Sequence, residues 1–203
     1  MSHDNAKSRD QVKTMNRSGL TRLLVSKLKA QEAVVGGIGN TNFDLWASGQ
    51  RPENFYMLGS MGMATPIALG VAVAQPNRKV FALDGDGSIL MQLGSLGTVA
   101  AAAQKNLAII IWDNGLYQIT GSQQTLTSKG TDLVAMAKGA GIAQSYWVSD
   151  EKHFEALVEN ILSNDGPWFI AARIDGEKPA GTTERDPVKI RLNFMSGLSA
   201  GKP

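Results

Sequence analysis

Lys79-Val80-Phe81-Ala82-Leu83-Asp84-Gly85-Asp86-Gly87-Ser88 is followed, one apolar segment later, by Leu107-Ala108-Ile109-Ile110-Ile111-Trp112-Asp113-Asn114-Gly115. Each stretch opens on an unbroken apolar run of strand length and closes on Asp, Asn and Gly, which end strands and make turns. A strand without polar alternation is buried on both faces, as happens in parallel sheets covered by helices. Residues 88–104 between the runs read as one long helix. The unit is therefore strand, crossover helix and parallel strand.

The same alternation extends outward. Residues 33–35 (Ala-Val-Val) form a short strand ending in Gly36-Gly37-Ile38-Gly39, and 43–46 make one or two helical turns. Residues 55–62 pass from an extended piece into an Ala- and Gly-rich helix reaching about Ala74. Residues 131–139 are helical, 145–148 a strand, 151–162 an amphipathic helix, and 167–174 (PWFIAARI) a last strand. Strands alternating with helices predict an α/β fold, a doubly wound, mainly parallel sheet with helices on both faces. The predicted domain spans 18–175, with Leu20, Leu23, Leu24 and Leu28 marking its first helix. Residues 1–17 are expected to be a mobile arm. Residues 176–203, weakly patterned, are expected to be an extended arm or a surface given to a partner.

Bulk composition excludes several classes. The 203 residues are 43% hydrophobic and carry a formal charge of +2, too balanced to argue for nucleic acid or a membrane surface. Lys7, Arg9, Lys13, Arg17, Arg22, Lys27 and Lys29 read as a solvated face. With no cysteine, disulfides, thiolate zinc sites, iron–sulfur clusters and a cysteine nucleophile are ruled out. His3 and His153 are far apart, which speaks against a histidine metal site. No apolar run nears the ~18 residues of a membrane span, and the polar N-terminus is not a signal peptide, so a cytoplasmic protein is expected.

Ligands of doubly wound sheets bind beyond the carboxyl ends of the strands. One such end carries Gly85-Asp86-Gly87-Ser88, whose glycines allow close backbone approach and whose following helix offers free N–H groups to a phosphate. The other carries Asn114, 28 positions after Asp86. Neighbouring parallel strands lie about 4.8 Å apart, so both side chains can converge on one ion. Asp86, the Asn114 amide oxygen and a carbonyl just after it are three hard oxygen ligands, which magnesium would complete with phosphate and water. Gly39-Asn40-Thr41, at the first strand end, are placed to touch the same ligand. Gly37-Ile38-Gly39 lacks the third glycine of a dinucleotide fingerprint.

A GDG box ending 28 positions later in an asparagine resembles the signature of thiamine-diphosphate enzymes, although Asp113 stands where many members have a first asparagine. The stretch from Arg51 to Ala64 is similar to the sulfopyruvate decarboxylase β subunit and, less closely, to phosphonopyruvate decarboxylase. The resemblance implies Asp86, Asn114 and the Leu116 carbonyl as magnesium ligands. It implies Gly85, Gly87, Ser88, Gln118 and Ile119 around the diphosphate of thiamine diphosphate. By the same resemblance, the Gly59 carbonyl, beside Ser60, meets the aminopyrimidine and Met61 wedges the cofactor into its bent form.

The family's activating glutamate lies on a pyrimidine-binding domain with no counterpart here. A separate α subunit is therefore implied, in a homodimer or hetero-oligomer, with a small 2-oxoacid such as sulfopyruvate as substrate. Arg51 and Lys129 are candidates for the substrate anion, although a surface role suits each. Phosphonopyruvate decarboxylase, an acetolactate-synthase-like lyase or carboligase, and a non-catalytic structural partner subunit are the alternatives.

Overall fold

A computed structural model of the chain describes residues 8–199. Six parallel strands, β1 (Ala33–Gly36), β2 (Asn54–Tyr56), β3 (Val80–Gly85), β4 (Leu107–Asp113), β7 (Gln144–Trp147) and β8 (Trp168–Arg173), form one sheet in the order β2-β1-β3-β4-β8-β7. A separate antiparallel pair, β5 (Leu116–Tyr117) and β6 (Gln123–Gln124), follows β4. The helices are α1 (Arg17–Lys27), α2 (Asn40–Ser48), α3 (Ala64–Ala74), α4 (Asp86–Leu90), α5 (Ser95–Ala102), α6 (Leu133–Gly139), α7 (Glu151–Ser163) and α8 (Pro187–Gly197). Among the described residues no helix is long and apolar enough to cross a membrane.

The pleat explains why the apolar runs are continuous. Along β4, Leu107, Ile109 and Ile111 join one core with Ala68 of α3, Val99 of α5 and Ala137 of α6. Ala108, Ile110 and Trp112 point to the other face, against Leu24 of α1 and Phe154 and Val158 of α7. Alternate residues serve opposite cores, so every position must be apolar. The doubly wound parallel fold expected from the sequence is the one observed. From β1 the chain runs to β2 on one side, then returns past β1 to β3, so strand order reverses between β1 and β3. Ligands of open sheets bind at such a reversal.

Three expectations are corrected. The first concerns the arm over 1–17, of which 1–7 lie outside the described residues. From Ser8 the segment is packed: Val12 and Met15 are buried, the Met15 amide donates to the Arg173 carbonyl at 2.9 Å, and the Asp175 amide donates to the Met15 carbonyl at 2.9 Å. Arg9 and Arg17, read as solvated, are drawn inside by carboxylates. Two apolar residues in a short extended segment have no periodicity to betray their burial.

The second correction concerns residues 88–104. The single helix is two, α4 and α5, joined through 91–94, where Gly94 is a weak helix former.

The third concerns the tail, which forms α8 rather than an extended arm. The Asp186 side chain accepts from the Val188 amide at 2.9 Å with Pro187 in the first turn, a start signal legible in sequence. Ile190, Phe194 and Leu198 recur every four residues and are buried, Phe194 packing 5.4 Å from Phe55 of β2.

Gly197 lets α8 dock: a Cβ there would lie 2.4 Å from the Pro52 carbonyl carbon and oxygen. Gly197→Ala is expected to lose roughly 1–3 kcal/mol by overpacking. Gly70→Ala, where a Cβ meets nothing within 4 Å inside α3, is expected to gain up to about 1 kcal/mol. Urea midpoints of the two variants check the contrast; a midpoint for Gly197→Ala at or above the parent's would mean that α8 does not depend on this contact.

Candidate cofactor site at the strand-order reversal

A cavity of about 500 Å³ opens at the carboxyl ends of β1, β3 and β4. Its walls contain Gly39 and Asn40 after β1, Met61 before α3, Gly85, Asp86, Gly87 and Ser88 at the end of β3, and Asn114, Leu116, Gln118 and Ile119 beyond β4. The pairing of Gly85 with Trp112 sets the two motif-bearing ends side by side. Gly59 and Ser60 are exposed and do not line the cavity, although Leu58 and Met61 on either side do.

Asp86 is buried, and its Oδ2 accepts from the hydroxyls of Thr125 and Thr127, the latter at 3.0 Å. The Asp86 carboxyl is pushed up to about 6, mainly by burial and then by the neighbouring charge of Asp113. Asp113 is raised by burial too, with Arg9 opposing the rise. Asp84 is buried with no partner for Oδ2 among the described residues, and burial pushes it up to about 7. Three carboxylates in so dry a place leave the strand ends short of positive charge.

Asn114 Oδ1 accepts from the Leu116 amide at 2.9 Å, which curls residues 114–116 into a turn. The Asn114 and Asn40 side-chain amides donate to Gln118 Oε1 at 3.2 and 3.0 Å, and Gln118 Nε2 donates to the Gly176 carbonyl at 2.6 Å. Gln118 thus ties the ends of β1 and β4 to the segment after β8. Ser88, in α4 just beyond β3, accepts from the Gly62 amide at 2.6 Å through its hydroxyl.

The site suits a metal that arrives with its own oxygen ligands. Among the described residues no group of three or more His, Cys, Asp or Glu is placed to hold a metal. Asp86, the Asn114 amide and the Leu116 carbonyl could supply three oxygens and leave the rest of a magnesium octahedron to diphosphate and water. The backbone leaves room for it: Gly85 lines the cavity, and a Cβ there would meet nothing within 4 Å. At Gly87 a Cβ would come within 2.3 Å of the Tyr117 ring, so the loop after β4 closes tightly over this turn. Because α4 has only five residues, the turn offers the free N–H groups of a short helix and not the dipole of a long one.

Several cavity residues had no sequence signal. Arg17 is buried, with Nε donating to Asp44 at 2.6 Å and Nη2 to the Glu177 carbonyl at 3.1 Å, and it lines the cavity. Thr183 and Arg185, in the segment leading to α8, line it too. The two cations suggested earlier for an anion do not. Arg51 donates to the Lys29 and Glu32 carbonyls and to Asn54, a structural role beneath β2, and Lys129 is exposed outside the cavity.

Comparison with known proteins agrees with this geometry. Residues 37–172 match the thiamine pyrophosphate enzyme family, C-terminal TPP binding domain. The chain is 37% identical to sulfopyruvate decarboxylase subunit beta of Methanocaldococcus jannaschii over 183 residues, covering 90% of this chain and 96% of that protein. It is 42% identical to phosphonopyruvate decarboxylase of Streptomyces hygroscopicus, covering 75% of this chain but 37% of that protein. In structure it is similar to benzoylformate decarboxylase of Polynucleobacter necessarius, with a TM-score of 0.69 at 20% identity over 88% of this chain and 36% of that one. With the family match spanning most of the chain and both strand-end motifs facing one cavity, this protein belongs to the thiamine pyrophosphate enzymes, as their C-terminal TPP-binding domain.

Proposed function

We propose that this chain is the cofactor-binding subunit of a thiamine-diphosphate-dependent decarboxylase acting on sulfopyruvate, working with a second subunit that carries the pyrimidine-binding domain and its activating glutamate. The observation that carries this reading is the alignment over 96% of a β subunit, against 37% of a phosphonopyruvate decarboxylase. Bound thiamine diphosphate would supply the electron sink that lets carbon dioxide leave a 2-oxoacid. On this reading Asp86, Asn114 Oδ1 and the Leu116 carbonyl hold magnesium. Gly85, Gly87, Ser88, Gln118 and Ile119 seat the diphosphate, and Gly39 and Asn40 close the β1 side. Met61 supports the bent cofactor, with Gly59 and Ser60 meeting its pyrimidine once the partner has docked.

Arg17 and Arg185 are the guanidinium groups of the cavity wall and the natural counter-charges for a sulfonate. Arg17 is already paired with Asp44, whereas Arg185 makes no ion pair or side-chain hydrogen bond among the described residues.

The test is decarboxylation by the chain co-purified with its partner. Sulfopyruvate is expected to yield carbon dioxide and sulfoacetaldehyde, and Arg185→Ala to raise KM for sulfopyruvate about 10–100-fold, with a smaller effect on pyruvate. Turnover of phosphonopyruvate or another 2-oxoacid with none of sulfopyruvate would overturn the substrate assignment. Phosphonopyruvate stays the second reading on the strength of the 42% identity.

A further inference from the structure

The carboxylate beside the proposed metal loop has a partner from far away in sequence. Asp113 is fully buried one residue before Asn114, its Oδ1 accepting from the Gly115 amide and the Thr127 hydroxyl, both at 2.9 Å. The Thr127 hydroxyl also lies 3.0 Å from Asp86 Oδ2, where the Thr125 hydroxyl donates, and the two hydroxyls are 2.9 Å apart. Two hydroxyl protons therefore serve four contacts, so at most two are made at once and Thr127 can donate to only one of the two carboxylates.

A buried carboxylate without a counter-charge is strongly unfavourable. Among the described residues, the cation within ion-pair reach of either carboxylate is Arg9, whose Nε donates to Asp113 Oδ2 at 3.0 Å. Its approach is built into the loop: Gly115 has φ +72°, and a Cβ there would lie 2.8 Å from Arg9 Nη2. The segment bearing Arg9 is fixed in turn, the Lys13 amide donating to the Ser149 carbonyl at 3.1 Å and Met15 bridging Ile174.

We propose that Arg9 is a positioning residue for the magnesium–diphosphate site, neutralising Asp113 so that residues 113–116 hold Asn114 and Leu116 toward Asp86. Asp86 then remains the carboxylate whose charge is free for the cation. The inference rests on the reading of Asp86, Asn114 and Leu116 as the magnesium set. The guanidinium acts through loop geometry, because its charge is taken up by Asp113 at 3.0 Å while the displaced loop would carry two of three ligands away.

The test is a double-mutant cycle of Arg9→Met and Asp113→Asn. It is read by calorimetric titration of the chain and its partner with thiamine diphosphate and magnesium, and by melting of the cofactor-free chain. Arg9→Met is expected to weaken magnesium-dependent binding about 10–100-fold and to lower the melting temperature. In the Asp113→Asn background the same change should move affinity by no more than about twofold. Arg9→Lys, which keeps the charge, should recover part of the loss.

Equal effects in both backgrounds would overturn the proposal, as would tighter magnesium-dependent binding by Arg9→Met, the sign of a mere repulsive charge. Wild-type complex that shows no magnesium-dependent binding overturns the site reading as well. Wild-type binding with an additive cycle overturns only the role of Arg9.

Discussion

Asp86→Ala is expected to weaken magnesium-dependent binding of thiamine diphosphate by at least on the order of 100-fold, the upper end of what outer-shell changes already cost at metal sites. Asp86 is the single carboxylate of the proposed ligand set, Asn114 and Leu116 offering neutral oxygens. Without it no formal charge of the set faces a dication. Stability should move the other way. In the cofactor-free chain Asp86 is a buried carboxylate sharing Thr127 with Asp113, a like charge, and burial disfavours both. The threonine hydroxyls it releases stand 2.9 Å apart and can bond to each other. The cofactor-free variant should therefore melt no lower than wild type, a site held at some cost to the fold. Calorimetry and thermal melts on the same preparation check both halves. Binding unchanged by the substitution would remove Asp86 from the site.

Trp112→Ala is the second large effect, and it falls on the fold. Trp112 is 1% exposed at the end of the central strand β4, with its ring 5.7 Å from that of Phe154 in α7. Truncating so large a side chain leaves a cavity that packed neighbours cannot fill, costing about 3–5 kcal/mol. That is a large part of the roughly 5–15 kcal/mol by which domains are stable. Trp112→Phe is the informative partner substitution. It keeps a ring against Phe154 and removes the indole N–H, which has no hydrogen-bond partner among the described residues. Its cost should stay under about 1.5 kcal/mol. Denaturant midpoints with unchanged slopes check the pair. Equal losses for both would mean that the indole itself, and not ring packing, holds β4 to α7. Trp112 also lines the cavity, so the alanine variant should bind cofactor less well.

The sequence alone determined the sheet and which of its strand ends line the cavity. β3, β4 and β8 were legible because a strand buried on both faces must be apolar at every position, and Asp, Asn and Gly mark its end. That Asp86 and Asn114 line one cavity followed from one crossover between neighbouring parallel strands, a local rule of chain geometry. The expectation of a weakly patterned tail over 176–203 overlooked Asp186-Pro187 and the spacing of Ile190, Phe194 and Leu198, which carry the signal of α8; nothing in those residues said that it would dock on β2.

Only the tertiary structure decided which charges are buried. Arg9 meets Asp113 across 104 positions and Arg17 meets Asp44 across 27, and an arginine in sequence looks the same whether solvated or locked. Thr125 and Thr127 belong to no motif. They matter because the segment after β6 folds back over Asp86, and Arg185 reaches the cavity because the chain beyond β8 forms part of its wall. Periodic burial is written in neighbouring residues, whereas a hydrogen bond or ion pair needs one partner at one distance, which the closed fold alone supplies.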